Sequence, residues 1–350
     1  DGFYLAGVFD FDNRGTYQPS VRTRFGYAWG REDWLGEVEA SQPILGCDNG
    51  LSVGFNYHED TYAHDFDREI IGDVENTLAA LLFKEDFRDY YERVGASAFA
   101  NVKAGDHVNI RVEYRKDDLA SLGQNANWAL FGEDKHFRCN PSLHEDIPYC
   151  SICRIPFCFT GESCEPTRQG LGTMESLWGQ YTLDLRNDRD NPTRGLYLRL
   201  GGEKAGGDLG GDYEFTKYWA DLRSYSKLAP DWYLDMRLMV GGAEDDLPPW
   251  KEYYLGGLGT LTARGFKEYR GNRVILGSLE YRVGLGGDLH SAFFVDSGDA
   301  WNEEERDYDI KTDVGLALTD SDNDFRVSYA KKAEDLSEDG VWTFRINRTF

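Results

Sequence analysis

Residues 231–240 read DWYLDMRLMV. Trp232, Leu234, Met236, Leu238 and Val240 share one parity, while Asp235 and Arg237 take the other. Successive side chains of a β-strand point to opposite faces, so the decamer is a strand with one apolar face and one charged face. The pattern repeats in both directions from here. Upstream, Val108, Ile110, Val112 and Tyr114 alternate with Asn109, Arg111, Glu113 and Arg115, and Val21, Thr23, Phe25, Tyr27 and Trp29 oppose Arg22 and Arg24. Downstream, Val314, Leu316 and Leu318, then Phe325, Val327 and Tyr329, do the same.

About fifteen such segments of roughly 9–13 residues can be marked, the length that a tilted strand needs to cross a bilayer. A soluble sandwich also alternates, but its strands are shorter and its outward face is less uniformly charged. Aromatic residues gather at the strand ends, as interfacial girdles require, and the polar face suits a wet lumen. The expected fold is therefore all-β: a transmembrane antiparallel β-barrel.

Composition agrees. The 350 residues include 62 acidic and 38 basic side chains, for a formal charge of −24. That balance argues against affinity for nucleic acid or an anionic surface. The longest purely apolar run, Leu78 to Phe83, is far below the roughly 20 residues of a spanning helix.

No linker or low-complexity tract divides residues 1–350, so a single domain is expected. Connections such as Asp190 to Gly195 and Ser321 to Asp324 read as tight turns. Two are long: a cysteine-rich segment at 120–172, and an Asp-, Pro- and Gly-rich segment at 241–272. Residues 69–84 are the one helical candidate, with Ile70, Val74, Leu78 and Leu82 one turn apart; such a helix would lie against the barrel or inside it.

The chain ends GVWTFRINRTF. Trp342, Phe344, Ile346 and Phe350 fall on one face, and Thr343, Arg345, Asn347 and Thr349 on the other. An alternating last strand that closes on Phe resembles the recognition signal of bacterial outer-membrane proteins.

Residues 255–282, LGGLGTLTARGFKEYRGNRVILGSLEYR, are followed at 293 by FFVDSGDAW. Here the sequence resembles the BamA/TamA superfamily, the barrels of outer-membrane assembly, two-partner secretion and bacterial surface antigens. Arg264-Gly265-Phe266 resembles the RGF tip of that family's inward-folding loop. Leu279 to Arg282 matches the strand after it, Phe294 to Gly298 the F-x-D-x-G strand motif, and Asn191 to Gly195 a turn typical of these barrels. Residues 85–95 and 1–11 look like compact members that lack POTRA repeats. The resemblance implies about sixteen strands with a long loop folded into the lumen. It also implies a weakly paired seam, here between residues 2–12 and 341–350.

Parity turns Glu280, Asp296 and Gly298 inward on the strands after the loop. A guanidinium brought in by the loop would meet both carboxylates, and arginine suits bidentate carboxylate pairing. The expectation is that Arg264 pairs with Glu280 and Asp296 and locks the 241–272 loop inside. Gly265 would then permit close or left-handed backbone approach, and Phe266 would wedge against the wall.

Cys139, Cys150, Cys153, Cys158 and Cys164 cluster in the 120–172 loop, and Cys47 lies apart. An even count in an oxidising exterior reads as two or three disulfides; the sharper alternative is a Cys/His metal site with His136 and His144. Only Cys150-x-x-Cys153 has zinc-like spacing. No catalytic or cofactor-binding motif is present, so neither enzymatic activity nor a cofactor is expected.

The implied role is insertion, assembly or translocation of proteins, or of lipids, at the bacterial outer membrane. A passive channel, a surface-display barrel and a structural envelope subunit are the alternatives. The implied partners are outer-membrane lipids and lipopolysaccharide, client outer-membrane or secreted proteins, and accessory envelope proteins. The carboxylates Asp245-Asp246 and Glu303-Glu304-Glu305 are solvated loop charges or bridges through divalent cations to lipopolysaccharide.

Overall fold

A computed structural model describes residues 4–12, 18–46, 49–64, 66–122, 128–131, 137–138, 140, 170–304, 307–322 and 324–346. Four strands, β1 (Tyr4–Asp12), β2 (Ser20–Ala28), β3 (Asp33–Leu45) and β4 (Gly50–Ala63), lead to two helices, α1 (Asp67–Ile70) and α2 (Asp73–Phe83). Then come β5 (Tyr90–Ala104), β6 (Val108–Ser121), β7 (Gly170–Asp184), β8 (Gly195–Ala205), β9 (Phe215–Ala229) and β10 (Trp232–Glu244). The next connection holds a small hairpin, β11 (Tyr253–Leu255) with β12 (Tyr269–Gly271). The chain continues with β13 (Arg273–Gly286), β14 (Leu289–Trp301), β15 (Lys311–Asp320), β16 (Phe325–Lys332) and β17 (Val341–Ile346).

Fifteen of these strands form one antiparallel sheet in chain order, with β13 taking the place beside β10. No helix among the described residues is long and apolar enough to cross a membrane. Period two governs the wall as the sequence requires. On β10, Met236 and Leu238 are 43% and 47% exposed, whereas Asp235 and Arg237 are 2% and 5% exposed. Phe9, Phe25, Phe55, Leu279, Phe293, Leu316, Trp342 and Phe344 are likewise exposed. In water that much apolar surface would be unfavourable; against lipid it is the belt of an outer-membrane barrel.

Much of the buried charge on the inner face is paired. Asp221 accepts from Arg223 at 2.7 Å and Arg237 at 3.0 Å, with Arg199 at 3.7 Å. Glu280 takes Arg326 at 2.9 Å and lies 3.7 Å from Arg282, which reaches Asp235 at 2.9 Å. His58 meets Asp117 at 2.9 Å. The wall thus neutralises most of its own charge, as burial demands.

Alternate ends of the sheet differ. The strand ends at 12/20, 45/50, 104/108, 184/195, 229/232, 286/289 and 320/325 share one end of the sheet; those at 28/33, 63/90, 121/170, 205/215, 244/273, 301/311 and 332/341 share the other, where the intervening stretches of sequence are longer. Short periplasmic turns and long external loops are the rule in such barrels, so the second end faces outward.

One expectation changes. The candidate helix at 69–84 is broken at Ile71–Gly72 into α1 and α2, and its apolar stripe is split: Ile70 is buried and Val74 is exposed. Among the described residues no ladder joins β1 to β17, and the expected seam between residues 2–12 and 341–350 lies partly outside them.

A charge on the outer face tests the two-sided wall. Leu238→Arg should destabilise the barrel by about 2–4 kcal/mol in urea unfolding from lipid vesicles if it lies near the bilayer midplane. A neutral effect there would mean that this face does not meet hydrocarbon.

Candidate functional site

The larger apolar core among the described residues lies inside the lumen, where the 245–272 connection folds back. Leu247, Trp250, Tyr253, Tyr254, Leu255 and Leu261 from that connection join Phe66 and Ile70 from the helical segment and Met174, Phe215, Trp219, Met239, Val274 and Leu276 from the wall. Each such side chain contributes roughly 1.5–3 kcal/mol on burial, so the plug is a packed structural unit. Its backbone is bent by left-handed glycines at Gly256 (φ +118°) and Gly257 (φ +85°). A Cβ on Gly256 would stand 2.3 Å from the Gly265 carbonyl.

Arg264 is carried inward, as expected, and is buried. Its partners are different. Nε donates to Asp313 Oδ1 at 3.0 Å, Nη1 to the Tyr269 hydroxyl at 3.3 Å and Nη2 to Glu334. The Ala263 amide donates to Asp313 Oδ2 at 2.8 Å, so this one carboxylate holds both side chain and backbone of the loop tip. Burial opposes the charge on Arg264, but the hydrogen bonds to Glu334 and Asp313 outweigh it and raise the guanidinium pKa.

Glu280 and Asp296 do face inward, but neither meets Arg264. Glu280 is already matched by Arg326 and Arg282 from the wall. Asp296 stands opposite Ser278 in the β13–β14 register, and lines a cavity of about 50 Å³ with Glu280, Arg326, Leu258 and Gly259. Asp313 neighbours Asp296 in the β14–β15 register, one strand further on, and lies close to the loop end of β15. Arg264 therefore meets Asp313 on β15 in place of Asp296, its register partner on β14.

Gly265 is exposed and has no positive φ, so the left-handed role expected of it passes to Gly256 and Gly257. Phe266 does not wedge into the wall. Its ring packs edge-on to Phe87, with centroids 5.9 Å apart, and lies beneath the Arg138 guanidinium at 4.4 Å. Gly298 has a clear purpose: a Cβ there would be 2.4 Å from the Ile275 carbonyl and 2.9 Å from Leu255 of the plug. The wall lacks a side chain where the loop lies against it.

The residue that sequence reasoning missed is Lys267. Its buried ammonium lies 2.8 Å from Asp67 on α1 and 2.6 Å from Asp89 ahead of β5, and 4.1 Å above the Tyr254 ring. Tyr254 donates its hydroxyl to Asp67, and the Asp89 amide donates to the same carboxylate at 2.8 Å. Burial pushes the Asp67 pKa up, only partly offset by Lys267, with repulsion from Asp89 adding to the rise. For Asp89 burial also works upward, but Lys267 and Arg138 outweigh it and bring the carboxyl down to about 2. A second anchor holds the outer part of the loop: Lys251 reaches Glu203 on β8 at 2.8 Å.

On β17, Trp342 and Phe344 face outward and Arg345 inward, as alternation requires. Ile346 is half-buried. Phe350 and all six cysteines, Cys47, Cys139, Cys150, Cys153, Cys158 and Cys164, lie outside the described residues.

Residues 20–350 match the family described as the Omp85 superfamily domain. The outer membrane protein assembly factor BamA of Nitratidesulfovibrio vulgaris is 27% identical over 171 residues, 43% of this chain and 22% of that protein. The chain thus spans about a fifth of the length of that curated relative. The crystal structure of BamA from Haemophilus ducreyi lacking POTRA domains 1–3 superposes with a TM-score of 0.63 at 15% identity, over 98% of this chain and 66% of that one. CdiB from Acinetobacter baumannii gives a TM-score of 0.47 at 13% identity, over 94% of this chain and 53% of that one.

Two outcomes follow from this geometry. Gly298→Val should displace Leu255 and make the 245–272 connection several-fold more sensitive to trypsin in detergent micelles; unchanged cleavage would refute the close fit. Because the folded pKa of Asp89 is depressed, its hold on Lys267 is present above about pH 4 and fades as pH falls through 2. Pepsin cleavage of the loop, corrected for enzyme activity, should rise across that window. A flat profile would contradict it.

Proposed function

The chain belongs to the Omp85 superfamily, and from that membership we propose that its barrel inserts or translocates proteins at the outer membrane. It is an outer-membrane β-barrel domain and not an enzyme. The observation that carries the reading is that, among the described residues, β1 pairs with β2 alone and β17 with β16 alone, with no ladder between β1 and β17. Free amide and carbonyl groups on a strand edge are unfavourable in hydrocarbon, and they offer pairing sites to another strand. An incoming client strand would replace lipid at that edge with hydrogen bonds. Membrane lipids, lipopolysaccharide and client proteins are the proposed partners on this reading.

The plugged lumen favours this over a passive channel. The loop core, Arg264 with Asp313, and Lys267 with Asp67 and Asp89 occupy the space that a steady pore would need.

Proteoliposomes carrying this chain should accelerate folding of a denatured outer-membrane barrel several-fold over empty liposomes, as read by its protease-resistant fraction. Planar bilayers should show small and erratic currents. No acceleration, together with steady unit conductance, would overturn the assembly reading in favour of a channel.

A further inference from the structure

Two connections enter the lumen from the loop end: the one carrying Arg264, and the helical segment between β4 and β5. We propose that α1–α2 is a latch that couples the Arg264 loop to the last strand, so that the loop and β17 let go together. The proposal deepens the functional reading above by assigning its regulation to named residues.

One end of the latch grips β17. Arg345 Nε donates to Glu75 Oε1 at 2.9 Å, and its Nη2 donates to Glu75 Oε2 at 3.1 Å and to the Ile70 carbonyl at 2.6 Å. The Ile346 amide donates to Glu75 Oε1 at 3.0 Å. A main-chain donor at the end of an edge strand is thus taken by a side chain some 270 positions away in sequence. Arg345 and Glu75 are both buried, so this is a bidentate pair shielded from water. It also turns the polar residues Glu75 and Asn76 of α2 inward while Val74 and Leu81 stay exposed, the reverse of an ordinary amphipathic helix.

The other end grips the loop. Asp67, the first residue of α1, meets Lys267 and Tyr254. Ile70, the last, lies in the same apolar core as Leu255 and Leu261, and its Cγ2 stands 3.0 Å from where a Cβ on Gly259 would be. Gly259 has φ +76° and no side chain to hold it away. The four residues of α1 therefore touch the loop through Asp67 and Ile70 and the last strand through the Ile70 carbonyl. A helix this short, about 1.5 Å per residue, transmits a shift at one end to the other with little room to absorb it.

The test is amide hydrogen exchange on the full chain in lipid nanodiscs, comparing wild type, Glu75→Gln, Lys267→Met and the double variant. Glu75→Gln should speed exchange of residues 341–346 about tenfold, within the 5- to 150-fold range of coupled sites. Lys267→Met should speed residues 341–346 as well as the loop, although its partners lie on α1 and at Asp89. The double variant should fall short of the product of the two effects. If Lys267→Met loosens only 245–272 and leaves 341–346 at the wild-type rate, the latch is refuted. Should Lys267→Met fail to fold, Arg345→Lys gives the reciprocal reading: faster loop exchange supports coupling, and unchanged loop exchange refutes it. Failure of client folding with the coupling intact would overturn the assembly reading alone. Normal client folding without coupling would overturn the latch alone.

Discussion

Burying a cation inside a barrel requires a carboxylate to meet it, and here three buried cations decide where the plug sits. Arg264 is met by Asp313, Lys267 by Asp67 and Asp89, and Lys251 by Glu203. Breaking a buried pair by removing one partner costs about 3–5 kcal/mol, because the other charge is left stranded. The apolar core supplies much of the attraction that fills the lumen, but it is not directional. The ion pairs fix the register: they select the depth at which the loop stops and the strand that it touches.

The wall obeys a different constraint. Hydrocarbon outside demands apolar side chains at every second position, and the wet or plugged interior takes the charges. Asp221 and Asp235 pair with arginines on their own or a neighbouring strand, and Glu280 on β13 reaches Arg326 on β16. That pairing within the wall leaves Asp313 to receive a residue from the loop. Of the sites reached by the loop, Asp313, Glu334 and Gly298 lie on or beside the strands that precede β17, while Glu203 lies on β8 and Asp67 and Asp89 lie between β4 and β5. The plug is thus held from several sides of the wall at once.

The wall was legible in the sequence because period two is local. The inward parity of Asp235, Arg237, Glu280 and Asp296 could be counted from a dozen residues, as could the outward parity of Trp342 and Phe344. The loop's entry into the lumen was legible through Arg264-Gly265-Phe266. Its partners were not. Asp313 has inward parity, opposite to Val314, Leu316 and Leu318, but so do many lumen carboxylates, and parity does not select among them. Lys267 and Asp67 are 200 positions apart, and Glu75 and Arg345 are 270 apart. No spacing rule reaches that far. The helical stripe Ile70, Val74, Leu78 and Leu82 misled because Gly72 interrupts it and a buried carboxylate, Glu75, outranks its apolar residues.

The central claim is that Arg264 and Asp313 hold the plug against the wall as a pair. The most direct measurement is a charge-swap cycle, Arg264→Asp, Asp313→Arg and both together, read as the temperature at which the barrel loses its compact, fast-migrating form on unheated gels. Each single variant should lower that temperature, and the double swap should recover a substantial part of the loss, since the two sites share one interaction. Single losses that simply add in the double variant would show that the two residues do not act on each other, and the account would fail.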